Sequence, residues 1–302
     1  MMTHRREFIQ KMALASGMIL TPWQKVLAGL FTQDPAYKLE LLRRNVGAFT
    51  ERGGTIGYLI STDGIVVVDT QFPEQAQHLI GEIKKRTEKK IDLLVNTHHH
   101  GDHTAGNIAF KGLVNKVVAH ENSKKNQQRQ ATERNAEATQ LYPDTLYQDK
   151  WSQKVGDEII SLRYFGAAHT NGDSVVHFEN ANVAHLGDLI FNRRHPFVDR
   201  PGGASINNWI KVLEKIQQEY DNETLFIFGH AGEGHPITGD KQDIKAMQQY
   251  LQKVLDVVSA KIKEGQSLEK VLTLTEIPGA NEWQGDGIQR PLTAAFEELS
   301  EH

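Results

Sequence analysis

One short run of the chain, Thr97-His98-His99-His100-Gly101-Asp102-His103, concentrates side chains that can do chemistry. Its patterned positions read His-x-His-x-Asp-His, with His98, His100, Asp102 and His103 as the residues that count. Neutral imidazole and ionised carboxylate are ligands that zinc accepts. Groups this close in sequence cannot all face one small site from a regular helix or strand. They can where the chain leaves a strand and turns sharply, and Gly101 gives the backbone freedom for that turn. The preceding Ile91-Asp92-Leu93-Leu94-Val95-Asn96 reads as a buried strand, and Thr104 to Phe110 can start a short helix. The cluster thus belongs at the carboxyl end of a strand, where open α/β sheets place ligand sites. A solvated basic loop or a tag remnant is the bland alternative. An internal position followed by Gly-Asp-His argues against a tag.

Three more strand exits repeat the theme. Glu158 to Phe165 alternates as a strand and runs into Gly166-Ala167-Ala168-His169. Asn182-Val183-Ala184-His185-Leu186-Gly187-Asp188 and Leu225-Phe226-Ile227-Phe228-Gly229-His230 each place Gly just ahead of a ligand-type residue. Alone, His169 would read as a hydrogen-bonded core histidine and Asp188 as a turn residue. The recurrence is the informative feature, and beside six other ligands Asp188 is the natural bridge between two ions. Asp69 ends the apolar strand Ile65–Val68. It reads as an acceptor that orients a metal-bound histidine, with a turn cap as the alternative.

The elements that must position these residues are also visible. Tyr37 to Leu41, Asn45 to Thr50 and Ile56 to Ile60 read as strands, with a turn at Gly53-Gly54 and a hairpin turn at Asp63-Gly64. Ala76, Leu79, Ile80 and Ile83 recur at helical spacing, so a helix over 74–86 joins two parallel strands as a crossover. Lys116 to Ala119 and Ser174 to Phe178 are further strands. The very polar segment 121–140 reads as a solvated helix or a mobile flap. Amphipathic stripes over 206–216 and 241–262, and a last helix over 292–299, are packing faces. No internal repeat or dividing linker is visible, so residues 35–302 form one domain.

The chain has 302 residues, 39% hydrophobic and 24% charged, an ordinary balance for a globular protein. A net charge of −4 lacks the basic footprint of a nucleic-acid binder, and a small-molecule substrate fits better. With no cysteine there are no disulfides, thiolate ligands or cysteine nucleophile. Thr3-His4-Arg5-Arg6-Glu7-Phe8-Ile9-Gln10-Lys11 resembles a twin-arginine export signal, with a frayed amphipathic helix as the alternative. The apolar stretch after it, Met12 to Leu20, is shorter than the roughly 20 residues of a membrane span. Residues 1–30 are therefore expected to direct export to the periplasm or beyond, leaving a chain that begins near residue 29 to 35. The sequence carries no signal for oligomeric state.

Together, His98, His100, Asp102, His103, His169, Asp188 and His230 resemble the set of the metallo-β-lactamase superfamily of hydrolases, over residues from about 36 to 300. The resemblance implies an α+β fold, a four-layer αβ/βα sandwich with a two-zinc site at one edge of the sheets. By matching positions, His98, His100 and His169 hold one zinc, Asp102, His103 and His230 hold the other, and Asp188 bridges. His100 stands where the flavodiiron branch has Glu, which argues for hydrolysis rather than oxygen reduction. Many true β-lactamases of this fold use a cysteine ligand, absent here. Gly187-Asp188-Leu189 looks more like the branch of lactonases, thioesterases and related hydrolases. The implied chemistry is attack of a zinc-bound hydroxide on an ester, lactone, thioester or amide bond, β-lactams included, with Asp102 orienting the nucleophile or shuttling a proton. Arg193 and Arg194 either hold a substrate anion at the rim or form a solvated loop. A mononuclear iron dioxygenase acting on sulfur compounds is the alternative on the same scaffold. A phosphodiesterase or nuclease is weaker, since the acidic net charge and the export signal count against it.

Overall fold

The apolar runs become strands of two sheets in the computed structural model, which describes residues 37–301. The twin-arginine-like segment lies outside the described residues. Contacts divide the chain at Lys38, and the fold is that of the unit Leu39–His302.

The first sheet has strands β1 (Lys38–Arg43), β2 (Val46–Thr50), β3 (Ile56–Ile60), β4 (Ile65–Val68), β5 (Ile91–Val95), β6 (Val114–His120) and β7 (Thr145–Tyr147), in that spatial order. β2, β3 and β4 pair antiparallel, while β4 to β7 run parallel. The crossover between β4 and β5 is helix α1 (Pro73–Lys84), which starts with proline, where a missing N–H costs nothing. A helical turn, α2 (Gly101–Thr104), follows β5, and α3 (Glu121–Glu133) follows β6. The second sheet contains β8 (Lys150–Val155), β9 (Glu158–Tyr164), β10 (Ser174–Phe178) and β11 (Val183–His185) as an antiparallel run. A short strand, β12 (Phe191–Asn192), and helix α4 (Ile206–Glu219) lead to β13 (Leu225–Ile227), which pairs parallel to β11. β14 (His230–Ala231) pairs with β12, and β15 (Thr238–Gly239) closes the second sheet beside β13. Helices α5 (Lys241–Lys263), α6 (Leu268–Val271) and α7 (Gln289–Ser300) complete the chain.

The two-residue period of the strands builds the layers. Val66, Val68, Leu93 and Val95 of the first sheet pack with Ile160, Leu162, Val176, Phe178 and Ile227 of the second. Val67 and Leu94 point the other way and are equally buried, so the outer face of the first sheet is covered too. On the second sheet the outward residues Val175, Ala184 and Phe226 join one cluster with Trp209 and Leu213 of α4, Leu251 of α5 and Leu292 of α7. Helices, sheet, sheet and helices are the four layers of the implied α+β sandwich. No helix among the described residues is long and apolar enough to cross a membrane.

Two local expectations change. The helical turn after β5 begins at Gly101, so Asp102 and His103 lie within it. The polar segment 121–140 is not simply solvated, because α3 buries Asn126 and Gln127. Gln127 Nε2 donates to Asn96 Oδ1 at 3.3 Å, and Asn126 Nδ2 donates to Asn171 Oδ1 at 2.9 Å.

A buried carboxylate locks α7 to the start of α4. Glu298 accepts from the backbone N–H of Ile206 (2.7 Å) and Asn207 (3.1 Å) and from Ser205 Oγ (2.8 Å). Removing it leaves buried donors without acceptors, at about 1–3 kcal/mol each. Glu298→Ala is predicted to lower unfolding stability by about 2–4 kcal/mol, with Glu298→Gln costing less. The midpoint of urea unfolding at unchanged m-value reads this. A loss below about 0.5 kcal/mol would show the lock is idle.

Candidate metal centre

The ligand-type residues follow strand exits at a common edge of the two sheets. β4 leads into Asp69, β5 into the run His98–His103, β9 into His169, β11 into Asp188 and β13 into His230. Backbone hydrogen bonds tie these exits to one another: Ser174 N–H to Thr97 O (2.7 Å), Thr55 N–H to Gly229 O (2.9 Å) and Gly229 N–H to Gly187 O (2.8 Å). His98, His100, Asp102, His103, His169, Asp188 and His230 are all brought together, in two groups that share Asp188.

The first group is His98 Nε2, His100 Nδ1, His169 Nε2 and Asp188 Oδ2. His100 Nδ1 lies 3.0 Å from His98 Nε2 and 2.9 Å from His169 Nε2. Asp188 Oδ2 lies 3.4 Å from His169 Nε2 and 3.8 Å from His98 Nε2. The second group is Asp102 Oδ2, His103 Nε2, His230 Nε2 and Asp188 Oδ1. Its separations are 3.1 Å from His230 to Asp102, 3.4 Å from His103 to His230, and 3.0 and 3.5 Å from Asp188 Oδ1 to His103 and His230. A tetrahedral cation with donors at roughly 2.0–2.1 Å sets them about 3.3 Å apart, so both groups have the spacing of a metal site. Asp188 Oδ1 is buried without a hydrogen-bond partner, since His103 Nε2 is near but not aligned to donate. A cation is what such an oxygen lacks.

The outer ring nitrogens settle where the inner lone pairs point. His103 Nδ1 donates to Asp69 Oδ2 at 2.7 Å, His100 Nε2 to Asp199 Oδ2 at 2.9 Å and His169 Nδ1 to the Phe197 carbonyl at 2.8 Å. Thr97 Oγ1 gives its hydrogen to Asp69 Oδ2 (2.7 Å), so it accepts from His98 Nδ1 (3.0 Å). His98, His100 and His169 are therefore fixed with a bare nitrogen facing the centre, and His103 presents there the one nitrogen whose proton a metal would replace, the arrangement metal-binding histidines need. Asp69 itself sits at φ 63°, a left-handed backbone that its three accepted hydrogen bonds hold in place.

Charge divides the two groups. Burial brings His169 down to about 3 and, with the neighbouring imidazoles, holds His98 well below its ordinary value. At His103 burial pulls the same way, but Asp188, Asp69 and Asp102 outweigh it and raise the imidazole well above its ordinary value. His230 is likewise raised by Asp188 and Asp102 against burial. Burial would push Asp188 up, yet His230, His103 and His98 hold it well below the carboxylate range. Asp102 is kept at about 2 by His103 and His230 against the same opposition from burial.

Several residues at the site escape sequence reasoning. Asp199 lies in an aperiodic loop, and nothing local marks it. His99, the middle of the histidine run, faces away from both groups, with Nε2 3.0 Å from Asp199 Oδ2. A Cβ on Gly54 would come within 2.1 Å of His103 Cε1, and one on Gly229 within 2.1 Å of Asp188 Oδ1. Gly54 had read only as a turn. The arginines Arg193 and Arg194 separate. Arg193 pairs with Glu282 (2.9 Å) and Asp243 (3.3 Å), away from the site, whereas Arg194 lines the cleft over the clusters.

The model of the metallo-beta-lactamase superfamily matches residues 50–230, more than half of the chain. A metallo-beta-lactamase type 2 of Elizabethkingia meningoseptica is 28% identical over 224 residues, covering 69% of this chain and 87% of that protein. Metallo-beta-lactamase IND-1 of Chryseobacterium indologenes is 26% identical over 230 residues, 72% of this chain and 91% of that protein. Among solved structures, metallo-beta-lactamase IND-7 superposes with a TM-score of 0.59 at 21% identity, over 73% of this chain and all of that one. A double mutant of the sec-alkyl sulfatase PisA1 reaches 0.66 at 14% identity, over 86% of this chain and 50% of that one. Likeness in fold, a family match across most of the strand exits, and clustered histidines and aspartates converge: as a metal-dependent hydrolase, the chain belongs to the metallo-beta-lactamase superfamily.

Proposed function

We propose that the chain holds two zinc ions and hydrolyses an ester, lactone, thioester or amide bond, with β-lactams among the candidates. The observation that carries this reading is the split Asp188 carboxylate, one oxygen facing each histidine group. His98, His100 and His169 would hold one ion, Asp102, His103 and His230 the other. Divalent cations held there would supply the polarisation of a carbonyl and would bring the pKa of bound water towards roughly 7. The second group is as complete as the first, which favours this reading over a mononuclear iron dioxygenase. Asp102 is the most open of these carboxylates, 34% exposed, and lines the cleft. With its pKa near 2 it is a weak base, so it acts as an acceptor that orients the attacking water rather than as a proton carrier. Phe191 and Phe197 supply apolar wall beside it. The Arg5-Arg6 segment adds export by the twin-arginine route to this reading.

Purified protein is predicted to turn over chromogenic esters, thioesters, lactones or β-lactams, to lose that activity with a chelator and to regain it with zinc. His100→Ala should reduce kcat/KM by at least about a hundredfold. Turnover that survives in the variant would come from elsewhere. Gly229→Ala, which drives a methyl into Asp188, should lose zinc while the fold is kept, and an unchanged zinc content would contradict the bridge.

Metal content should also depend on pH in a definite order. Imidazoles His98 and His169 are already neutral, whereas His103 and His230 hold protons that a cation must displace. Raised pKa values on ligands mean that affinity falls as pH drops below them. With zinc buffered slightly above two equivalents, elemental analysis near pH 8 should find two ions per chain and near pH 6 about one. Loss of both ions together would contradict this order.

A further inference from the structure

Beside the cleft over the two groups lies a smaller cavity of about 100 Å³, set between the helical turn α2 and helix α3. Gln127, Gln130, Ala131 and Arg134 recur at i, i+3, i+4 and i+7, so one stripe of α3 and its end face this cavity. A helix stripe turned towards the protein is normally apolar. This one is built largely from amides, and Gly101 and Thr104 of α2 and Gln140 beyond α3 face it across the cavity. Gly101, Gln130 and Arg134 line both the cavity and the cleft. A Cβ on Gly101 would meet no atom within 4 Å, so the space over the backbone between His100 and Asp102 is open. A molecule seated over the metal centre has a way from the cleft into the cavity there.

The hydrogen bonds of these amides define what the cavity lacks. Gln127 Nε2 donates to Asn96 Oδ1 (3.3 Å) and Ser123 Oγ (3.4 Å), and Gln140 Nε2 donates to the Ala136 carbonyl (3.2 Å) and Thr139 Oγ1 (3.3 Å). Each side chain has thus spent both of its N–H groups, and among the described residues neither amide oxygen accepts a hydrogen bond. The half-buried Gln130 side chain makes no hydrogen bond to any described residue. His99 stands in the wall, 2% exposed, and neither of its ring nitrogens has a hydrogen-bond partner. The walls therefore hold more acceptors than the protein supplies with donors. Among the described residues no carboxylate lines the cavity, so a cationic donor would lack a counter-charge. The donors that fit are neutral N–H groups.

We infer that this cavity is a substrate subsite for a carboxamide. The substrate carries, a few bonds from the hydrolysed carbonyl, a primary amide whose two N–H groups are taken by the Gln127 and Gln140 oxygens and whose own oxygen is taken by the Gln130 amide. A primary carboxamide has the matching set of two donors and one carbonyl acceptor, which a hydroxyl does not. That amide is held and is not itself cleaved. The inference rests on the hydrolase reading above, and it makes Gln130 and Gln140 determinants of specificity.

The test compares zinc-loaded protein on para-nitrophenyl 6-amino-6-oxohexanoate and on para-nitrophenyl 6-methylheptanoate, the same shape without the amide. The ratio of their kcat/KM values should fall about fivefold or more in Gln130→Met/Gln140→Met. Comparing ratios removes any difference in the intrinsic reactivity of the two esters. Gln128→Met, on the exposed side of α3, should keep the wild-type ratio. An unchanged ratio in the double variant overturns the inference while the hydrolase reading stands. Nuclear magnetic resonance of the zinc-loaded chain with nitrogen-15 in its glutamines reads recognition without turnover. On titration with acetamide the side-chain amides of Gln130 and Gln140 should shift saturably, and that of the exposed Gln128 should not. Absence of a saturable shift at Gln130 and Gln140 overturns the inference whether or not either ester is cleaved. A saturable shift with neither ester cleaved upholds the subsite and counts against the hydrolase reading.

Discussion

Bare imidazole nitrogens and buried carboxylate oxygens converge on one small volume at the sheet edge, with too few hydrogens among them to satisfy each other. An isolated ionised carboxylate in such a place is very costly, and Asp188, 4% exposed, accepts no hydrogen bond at Oδ1. Cations resolve the conflict, and much of the surrounding structure reads as the means of presenting that conflict to them. The outer nitrogens of His98, His100, His103 and His169 are all committed to hydrogen bonds, so no tautomer exists in which these rings turn their hydrogens inward without breaking one.

The fold meets this demand by using strand exits from both sheets. Parallel neighbours β4 and β5 deliver Asp69 and the histidine run, and parallel neighbours β11 and β13 deliver Asp188 and His230. Because β9 lies two antiparallel steps from β11, it points the same way and delivers His169 to the same edge. Close backbone approach then matters as much as ligand identity. Gly54 and Gly229 leave room that any side chain would take from His103 and Asp188.

Legibility in the sequence followed the range of each constraint. The His98–His103 run was visible because its spacing is local, and the strands because a period of two persists over five or six residues. His169, Asp188 and His230 were legible only as repeats of one theme, a strand ending in a ligand-type residue. Asp199 was not, since its loop has no period and its role depends on a partner 99 positions away. His99 looks like its neighbours in sequence, and only the turn decides that it faces Asp199 instead of the centre. Burial of Gln127 is not legible, because a polar helix face gives no sign of it and Asn96 becomes its neighbour only when β5 and α3 pack.

Anomalous scattering at the zinc edge from crystals of the metal-loaded chain addresses the central claim most directly. The account predicts two peaks about 3.5–4 Å apart, one at each oxygen of the Asp188 carboxylate. A single peak held by His98, His100 and His169, with His103 and His230 turned away from Asp188, would contradict it.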